Sequence, residues 1–410
     1  MALFPNSSLH TAKISCSNHD GPTPFSTFYF AHPVKDNFIN IPPIVIVMKP
    51  VFVYGVGQDV RASALAAAIR DILLKSSDGF SWLDKGDTVL LKPALNSSDP
   101  YPATTHPLAI EVTSQLLAER GAKIVIGDQS GIEHVLHHPG GVIRGSSRSS
   151  YIRSGMGSKD DTRFVSFEEG GWDTGFYHYR SGSTPSWPYG FFISDWARKA
   201  DHIISLPRLS THSQAGATLG FKIMVGMLRE DSRMEFHANG PYNNVITKAA
   251  KGSVLSAKDD HSGTFFEKIV EISDAIKGKL RLTMIVATEA QATFGPDRFG
   301  IRLGPLGLGR AYVKKPEPGL VFASVDQVAA EAYALALLKD LKHEVPFLPR
   351  MAEHLILFQN ANVRDLLTVP VRIHPFIRHA IRIGLGNMPE RIEYTDVPYA
   401  VQDKINVYFS

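Results

Sequence analysis

Short, wholly apolar runs recur along this chain, and helical patterns lie between many of them. This feature constrains the fold more than any other. The runs are Val51–Tyr54, Val89–Leu91, Ile124–Ile126, Ile203–Leu206, Met284–Ala287 and Leu320–Ala323. A strand with one wet face alternates apolar and polar residues, so an unbroken apolar run marks a strand covered on both faces. Between the runs the period changes. Leu65, Ile69, Ile72 and Leu73 fall on one helical face, with Asp59 as the expected cap. Leu108, Val112 and Leu116 form a second face, capped by Thr105 or His106 with Pro107 in the first turn and ended by Gly121. Further helical patterns cover 264–278 and 326–340. Strands that alternate with helices need crossover connections. The expectation is an α/β fold, a mostly parallel sheet with flanking helices.

Three stretches stand apart from this grammar. Residues 129–190 are rich in Gly and Ser, with a helix expected near Ser147–Ser154 and a strand near Arg163–Phe167, and read as an inserted lobe. Beyond 345, helices are expected at about 350–358 and 374–383, then a strand near Arg391–Tyr394. Residues 1–47 are rich in Ser, Pro and Asn, contain no Arg and lack any period until Ile44. They are expected to be a disordered extension, or Met48 is the true start, with the α/β domain spanning 48–410.

Composition excludes several function classes. The 43 basic and 40 acidic residues leave a formal charge of +3, and no basic run reaches five residues. That gives no footprint for nucleic acid or an anionic membrane. No apolar stretch is long enough to span a bilayer. Cys16 is the only cysteine, so one chain can hold neither a disulfide nor a four-cysteine iron–sulfur cluster. This usage accords with a reducing compartment, and a cytoplasmic location is expected.

In parallel sheets, ligands bind beyond the carboxyl ends of the strands. Here the runs end in polar groups: Lys92 and Asn96, then Asp128, then Arg208, Thr211 and His212, then Thr288 and Glu289, then Ser324 and Asp326. Five such endings are expected to share one crevice. Thr218 reads as the cap of a helix whose first turn carries Lys222. Free N–H groups, the helix dipole and an ammonium together suit an anion. Lys92, Arg208 and Lys222 are therefore expected to neutralise a small anionic ligand. Asn96, Thr211 and Thr218 would orient it near Asp128, and His212, with His237, would move a proton.

These segments resemble the domain of unknown function 362 family. The likeness is carried by Lys92-Pro-Ala-Leu-Asn96, Ala103-Thr-Thr-His-Pro107, Gly121–Asp128, Asp201–His212 and Thr218–Gly226. Phe294-Gly-Pro296, Ala323-Ser-Val-Asp326 and Gly384-Leu-Gly386 extend it, over about 48–395. The resemblance implies no defined activity. Some members carry a ferredoxin-like cluster segment, which this chain lacks. Arg208, Ser210, Ile223 and Glu289 depart from the residues usual in the family.

Weaker features compete with structural roles. His134, His137 and His138 have metal-like spacing but sit in a Gly-rich stretch, where a solvated loop is expected. Gly140–Ser147 and Gly304–Gly309 are poor matches to phosphate and dinucleotide loops. Asp326 reads first as a helix cap. The functional expectation is an enzyme acting on a small anionic metabolite. The alternatives are a divalent-metal site built from Asp128, His212, His237 and Glu289, or a non-catalytic accessory protein in cofactor handling. Cofactor and oligomeric state are open at this level.

Overall fold

The computed structural model describes residues 49–238, 264–299, 309–357 and 360–409. The expected extension over 1–47, most of Gly304–Gly309 and the side chain of His237 lie outside the described residues.

The chain opens with β1 (Val51–Gly55), α1 (Ala62–Ser76), β2 (Thr88–Pro93), α2 (Pro107–Ala118) and β3 (Lys123–Asp128). A hairpin of β4 (Leu136–His138) and β5 (Gly141–Arg144) follows, then α3 (Ser147–Arg153) and β6 (Phe164–Ser166). A second hairpin, β7 (Phe176–Tyr179) and β8 (Phe191–Ser194), precedes α4 (Trp196–Lys199) and β9 (His202–Leu206). Next come β10 (Ser210–His212), β11 (Gly216–Thr218), a 3-10 segment at Lys222–Met227 and α5 (Glu230–Ala238). The chain continues through α6 (Phe265–Glu271), β12 (Leu280–Ala287), β13 (Ala290–Gln291), β14 (Val313–Lys314), β15 (Leu320–Ser324) and α7 (Gln327–His343). It closes with α8 (Phe347–Leu357), α9 (Ala361–Thr368), α10 (Pro375–Arg382), β16 (Ile392–Thr395) and α11 (Tyr399–Asn406).

One eight-stranded sheet organises these elements, in the order β16-β1-β15-β12-β9-β2-β3-β6. Five neighbouring pairs are parallel. Strand β15 alone is reversed, antiparallel to both β1 and β12. This is the expected α/β architecture. Each apolar run serves two cores by alternation. Val89 and Leu91, Ile204 and Leu206, Met284 and Val286 point to the face covered by α1 and α2. Leu90, Ile203, Ile285 and Phe322 point to the face covered by α7, α6 and α10. With apolar cover on both sides there is no wet face to record as a polar residue.

The reversal of β15 corrects the expectation of five strand ends in one crevice. Ala287 at the end of β12 stands opposite Leu320 at the start of β15, and Ser324 stands opposite Thr283. Ser324 and Asp326 therefore lie at the opposite end of the strands from Lys92 and Asp128. The cause is the connection. Residues 288–319 contribute the short strands β13 and β14 and no described helix, and a chain that returns without a crossover pairs antiparallel.

Asp326 instead caps α7, accepting the N–H groups of Val328 (2.9 Å) and Ala329 (3.1 Å). Its second oxygen accepts the N–H of Asn387 (3.1 Å). At Gly386 the φ is +155° and a Cβ would overlap the Asp326 carboxyl. The Asp326 and Gly384–Gly386 segments are thus two halves of one clamp. Other local expectations shift as well. Asp59 does not cap α1, whose N-cap is Arg61; it is exposed and pairs with Lys315. His106 caps α2 as expected, accepting the N–H of Leu108. Within 129–190, Phe164–Ser166 joins the main sheet as its edge strand.

Candidate functional site

Beyond the ends of β2 and β3 lies a cavity of about 90 Å³. It is lined by Asn96 after β2, Asp128 and Gln129 at the end of β3, His212–Gln214 after β10, Lys222–Ile223 and Val225–Gly226 on the 3-10 segment, and Arg233 on α5. Four expected site residues, Asn96, Asp128, His212 and Lys222, thus surround one space.

Asp128 belongs to a buried ion pair whose other member, Lys92, does not line the cavity, contrary to the expectation that it would face a ligand. Lys92 Nζ lies 2.9 Å from Asp128 Oδ1, with both side chains shielded from solvent. Burial pushes Lys92 down and Asp128 up, and each charge draws the other back. Asp128 also accepts the N–H groups of Leu95 (3.0 Å) and Gln129 (2.8 Å), which ties the β2 and β3 loops together. Gly226 packs onto this pair, and a Cβ there would overlap Asp128 Oδ1.

Lys222 differs from its expected setting. The segment before it is strand β11, not a helix, and Thr218 caps nothing. Thr218 pairs with Ser210 in the sheet and meets Arg208 at 3.5 Å. Lys222 itself is buried. Burial lowers its ammonium to about 7, and the charges of Arg233 and Arg208 act in the same direction. A buried carboxyl holds the turn ahead of it: Glu331 on α7 accepts the N–H of Phe221 at 3.1 Å.

His212 sets a definite polarity. Its Nδ1 accepts the N–H groups of Gln214 (3.1 Å) and Ala215 (3.3 Å), which leaves the ring proton on Nε2. In that state the ring is a donor. A base or a metal ligand would need the Nε2 lone pair.

Arg208 and Thr211 do not line the cavity. Arg208 is fully buried; its NH1 donates to the carbonyls of Ala103 and Pro296 (2.9 Å to the latter), and burial pulls the guanidinium down to about 9. Thr211 Oγ1 donates to Gln291 O within the small sheet of β10, β11, β13 and β14. Both bind main chain inside the protein, so they shape the loop rather than face a ligand. Of the expected metal set, Asp128 and His212 line the cavity and Glu289 does not. Among the described residues no group of three or more His, Cys, Asp or Glu is placed to hold a metal ion.

Sequence reasoning missed Arg233 and Gln129. Arg233 lines the cavity and donates to the carbonyls of Val225, Ser130 and Gln129 at 2.7–3.2 Å. Its one signal was closeness in sequence to Lys222. Among the described residues, the buried side-chain oxygens of Asn96 and Gln129, Oδ1 and Oε1, have no hydrogen-bond partner. The three histidines diverge. His134 pairs with Asp297 at 3.1 Å, His138 accepts the N–H of Gly140, and His137 is buried beside Trp172 rather than solvated. At Gly140–Ser147 the anion is the chain's own: Glu168 accepts the N–H (2.7 Å) and hydroxyl (2.9 Å) of Ser147.

Fold and cavity define an α/β protein with a polar site at the carboxyl ends of neighbouring parallel strands. The chain belongs to the domain of unknown function family DUF362, whose model matches residues 89–336. It is also similar to a thylakoid-associated protein of Synechocystis sp., with 27% identity over 186 residues. That match covers 44% of this chain and 51% of the other, so the chain spans about half the length of the curated relative it matches. Among the described residues no helix is long and apolar enough to cross a membrane.

Proposed function

We propose that this chain is an enzyme acting on a small organic anion bound in the cavity beyond β2 and β3. One observation carries the reading: two buried basic side chains, Lys222 and Arg233, line the same cavity. The Asp128 charge beside them is balanced by Lys92. Burial and the Arg233 charge both act against the Lys222 ammonium, so an anion in the cavity would favour it; Arg233 itself is held by main-chain carbonyls and lies 3.8 Å from Glu230. His212, with its proton on Nε2, adds a donor suited to a developing oxyanion or a leaving oxygen. Asn96 and Gln129 supply acceptors for a ligand hydroxyl. The volume suits a small metabolite rather than a nucleotide.

The test is a calorimetric and thermal-shift screen of phosphate, sulfate and small carboxylates. Lys222→Ala should weaken binding by roughly 1–3 kcal/mol, the usual worth of a hydrogen bond to a charged group. His212→Ala should reduce turnover more than binding. Absence of binding to the parent chain, or equal binding by Lys222→Ala, defeats the reading. For location we propose the cytoplasm. The Synechocystis relative's description as thylakoid-associated makes peripheral membrane attachment the competing outcome, and cell fractionation decides between them.

A further inference from the structure

Three groups that line the cavity are acceptors in need of a donor. Asn96 Oδ1 and Gln129 Oε1 are buried and, among the described residues, accept no hydrogen bond. A buried acceptor left unmatched is costly, so such a pair marks a place where a donor belongs. The Gln129 amide is oriented from behind, where its Nε2 donates to Glu230 Oε2, which commits Oε1 as the acceptor. The third group is Glu133, exposed at the rim. The charged groups around it are Asp297, His134 and Arg144. His134 is taken by Asp297 at 3.1 Å, and Arg144 donates to the carbonyl of Ile132 at 2.8 Å. The Glu133 carboxylate is therefore left without an ion pair among the described residues.

The loops that carry the three groups are fastened to each other. Strands β2 and β3 pair in parallel, so Asn96 beyond the one meets Gln129 and Glu133 beyond the other. The N–H of Leu95 donates to Asp128 at 3.0 Å, and Ser130 Oγ donates to the carbonyl of Leu95 at 2.7 Å. At Gly131 the loops touch, since a Cβ there would sit 2.6 Å from the Asn96 carbonyl oxygen. The acceptors are thus held in place before any ligand arrives.

We propose that the cavity takes a small amino acid, with its ammonium group seated among Asn96, Gln129 and Glu133. The inference deepens the anion reading above, on which the carboxylate end of the ligand rests, and names the substrate class. A hydroxyl has one proton to donate and satisfies one of the three acceptors. A primary ammonium has three N–H donors and a positive charge. It matches both amide oxygens and the carboxylate together, and hydrogen bonds from a charged donor are the stronger kind. Asp128 does not compete for the ammonium, because Lys92 already balances it. At roughly 10–15 Å³ for each water-sized group, the space holds about six to nine non-hydrogen atoms, the size of alanine, serine or aspartate.

The experiment is calorimetry on the full chain with matched sets of ligands. Alanine is compared with lactate, propionate and ethylammonium, and aspartate with malate and succinate. The expected result is that one amino acid binds about tenfold or more tighter than its hydroxy and deamino analogues. Asn96→Leu should weaken that amino acid by about tenfold or more, and Glu133→Gln by about two- to fivefold, the smaller effect of an exposed charge. Neither variant should weaken propionate or succinate. Melting curves check folding, and Glu133→Gln alters an exposed side chain, so one variant remains readable if Asn96→Leu does not fold. Lactate or propionate binding as tightly as alanine, with malate or succinate matching aspartate, overturns the ammonium seat and leaves the anion reading standing. Unchanged amino-acid affinity in the folded variants overturns its placement. If ethylammonium binds as tightly as alanine and no acid binds, the anion reading fails and the ammonium seat stands. If nothing binds, both fail.

Discussion

Replacing Glu331 with Gln should stabilise the protein at neutral pH and leave it unchanged in acid. Glu331 is 1% exposed, accepts the Phe221 N–H at 3.1 Å, and among the described residues has no partner for its second oxygen. Burial pushes its carboxyl up to about 8 from an ordinary 4.5, and the N–H groups of Phe221 and Gly220 oppose this only in part. The sign follows from proton counting. Below pH 4.5 folded and unfolded chains both carry the proton, and the group costs nothing. Between 4.5 and 8 the unfolded chain releases the proton while the folded chain keeps it, so stability falls as pH rises. Above 8 the loss is complete. At about 1.4 kcal/mol per pH unit, the loss at pH 7 is roughly 3 kcal/mol, rising to about 5 kcal/mol above pH 8. Glutamine keeps the acceptor for Phe221 and removes the ionisation. Urea denaturation of both chains at pH 4, 5.5, 7 and 8.5 should show curves that coincide in acid and diverge with rising pH. Titrations elsewhere, such as Glu230 and Lys222, largely cancel in the difference. Parallel profiles, or a variant less stable at every pH, would refute the reasoning, because Glu331 would then be ionised and compensated in the folded state. A carboxyl that costs stability yet anchors the turn before Lys222 is the kind of trade a functional site retains.

Three further outcomes follow from the same geometry. Asp128→Asn removes the charge facing Lys92 in a buried pair; chemical denaturation should show a loss of about 3–5 kcal/mol, the cost of stranding one buried charge. Gly226→Ala drives a methyl into Asp128 Oδ1; it should cost about 1–3 kcal/mol by melting, and unchanged stability would mean the segment shifts freely. Asp326→Ala removes a helix cap at the opposite end of the strands from the cavity; it should cost about 0.5–2 kcal/mol while leaving anion affinity unchanged, and a changed affinity would contradict the reversed β15.

Much of the fold was legible because burial on both faces writes itself into sequence as unbroken apolar runs. All six runs became strands of one sheet. The His106 cap and the Asp326 cap were legible because capping needs specific side chains next to a period change. The site was half legible. Asn96, Asp128 and His212 stand after runs, and a parallel sheet brings them to one cavity. Arg208 and Thr211 follow a run in the same way, yet they turn inward to main-chain carbonyls. Sequence carries no mark of whether a loop side chain faces a cavity or its own backbone.

What the sequence by itself determined was the alternation, the strand identities and the polar residues at their ends, since these depend on local periodicity and chain order. Tertiary structure decided three things. It reversed β15 and sent Asp326 to the opposite end of the strands, because residues 288–319 return without a crossover. It placed the His212 proton on Nε2 through two backbone N–H groups three residues on or nearer. And it buried Lys222 beside Arg233 and Arg208, which depends on desolvation and on charges brought close by the packing of separate elements. Proton affinity is a property of surroundings, and surroundings exist only once the chain has folded.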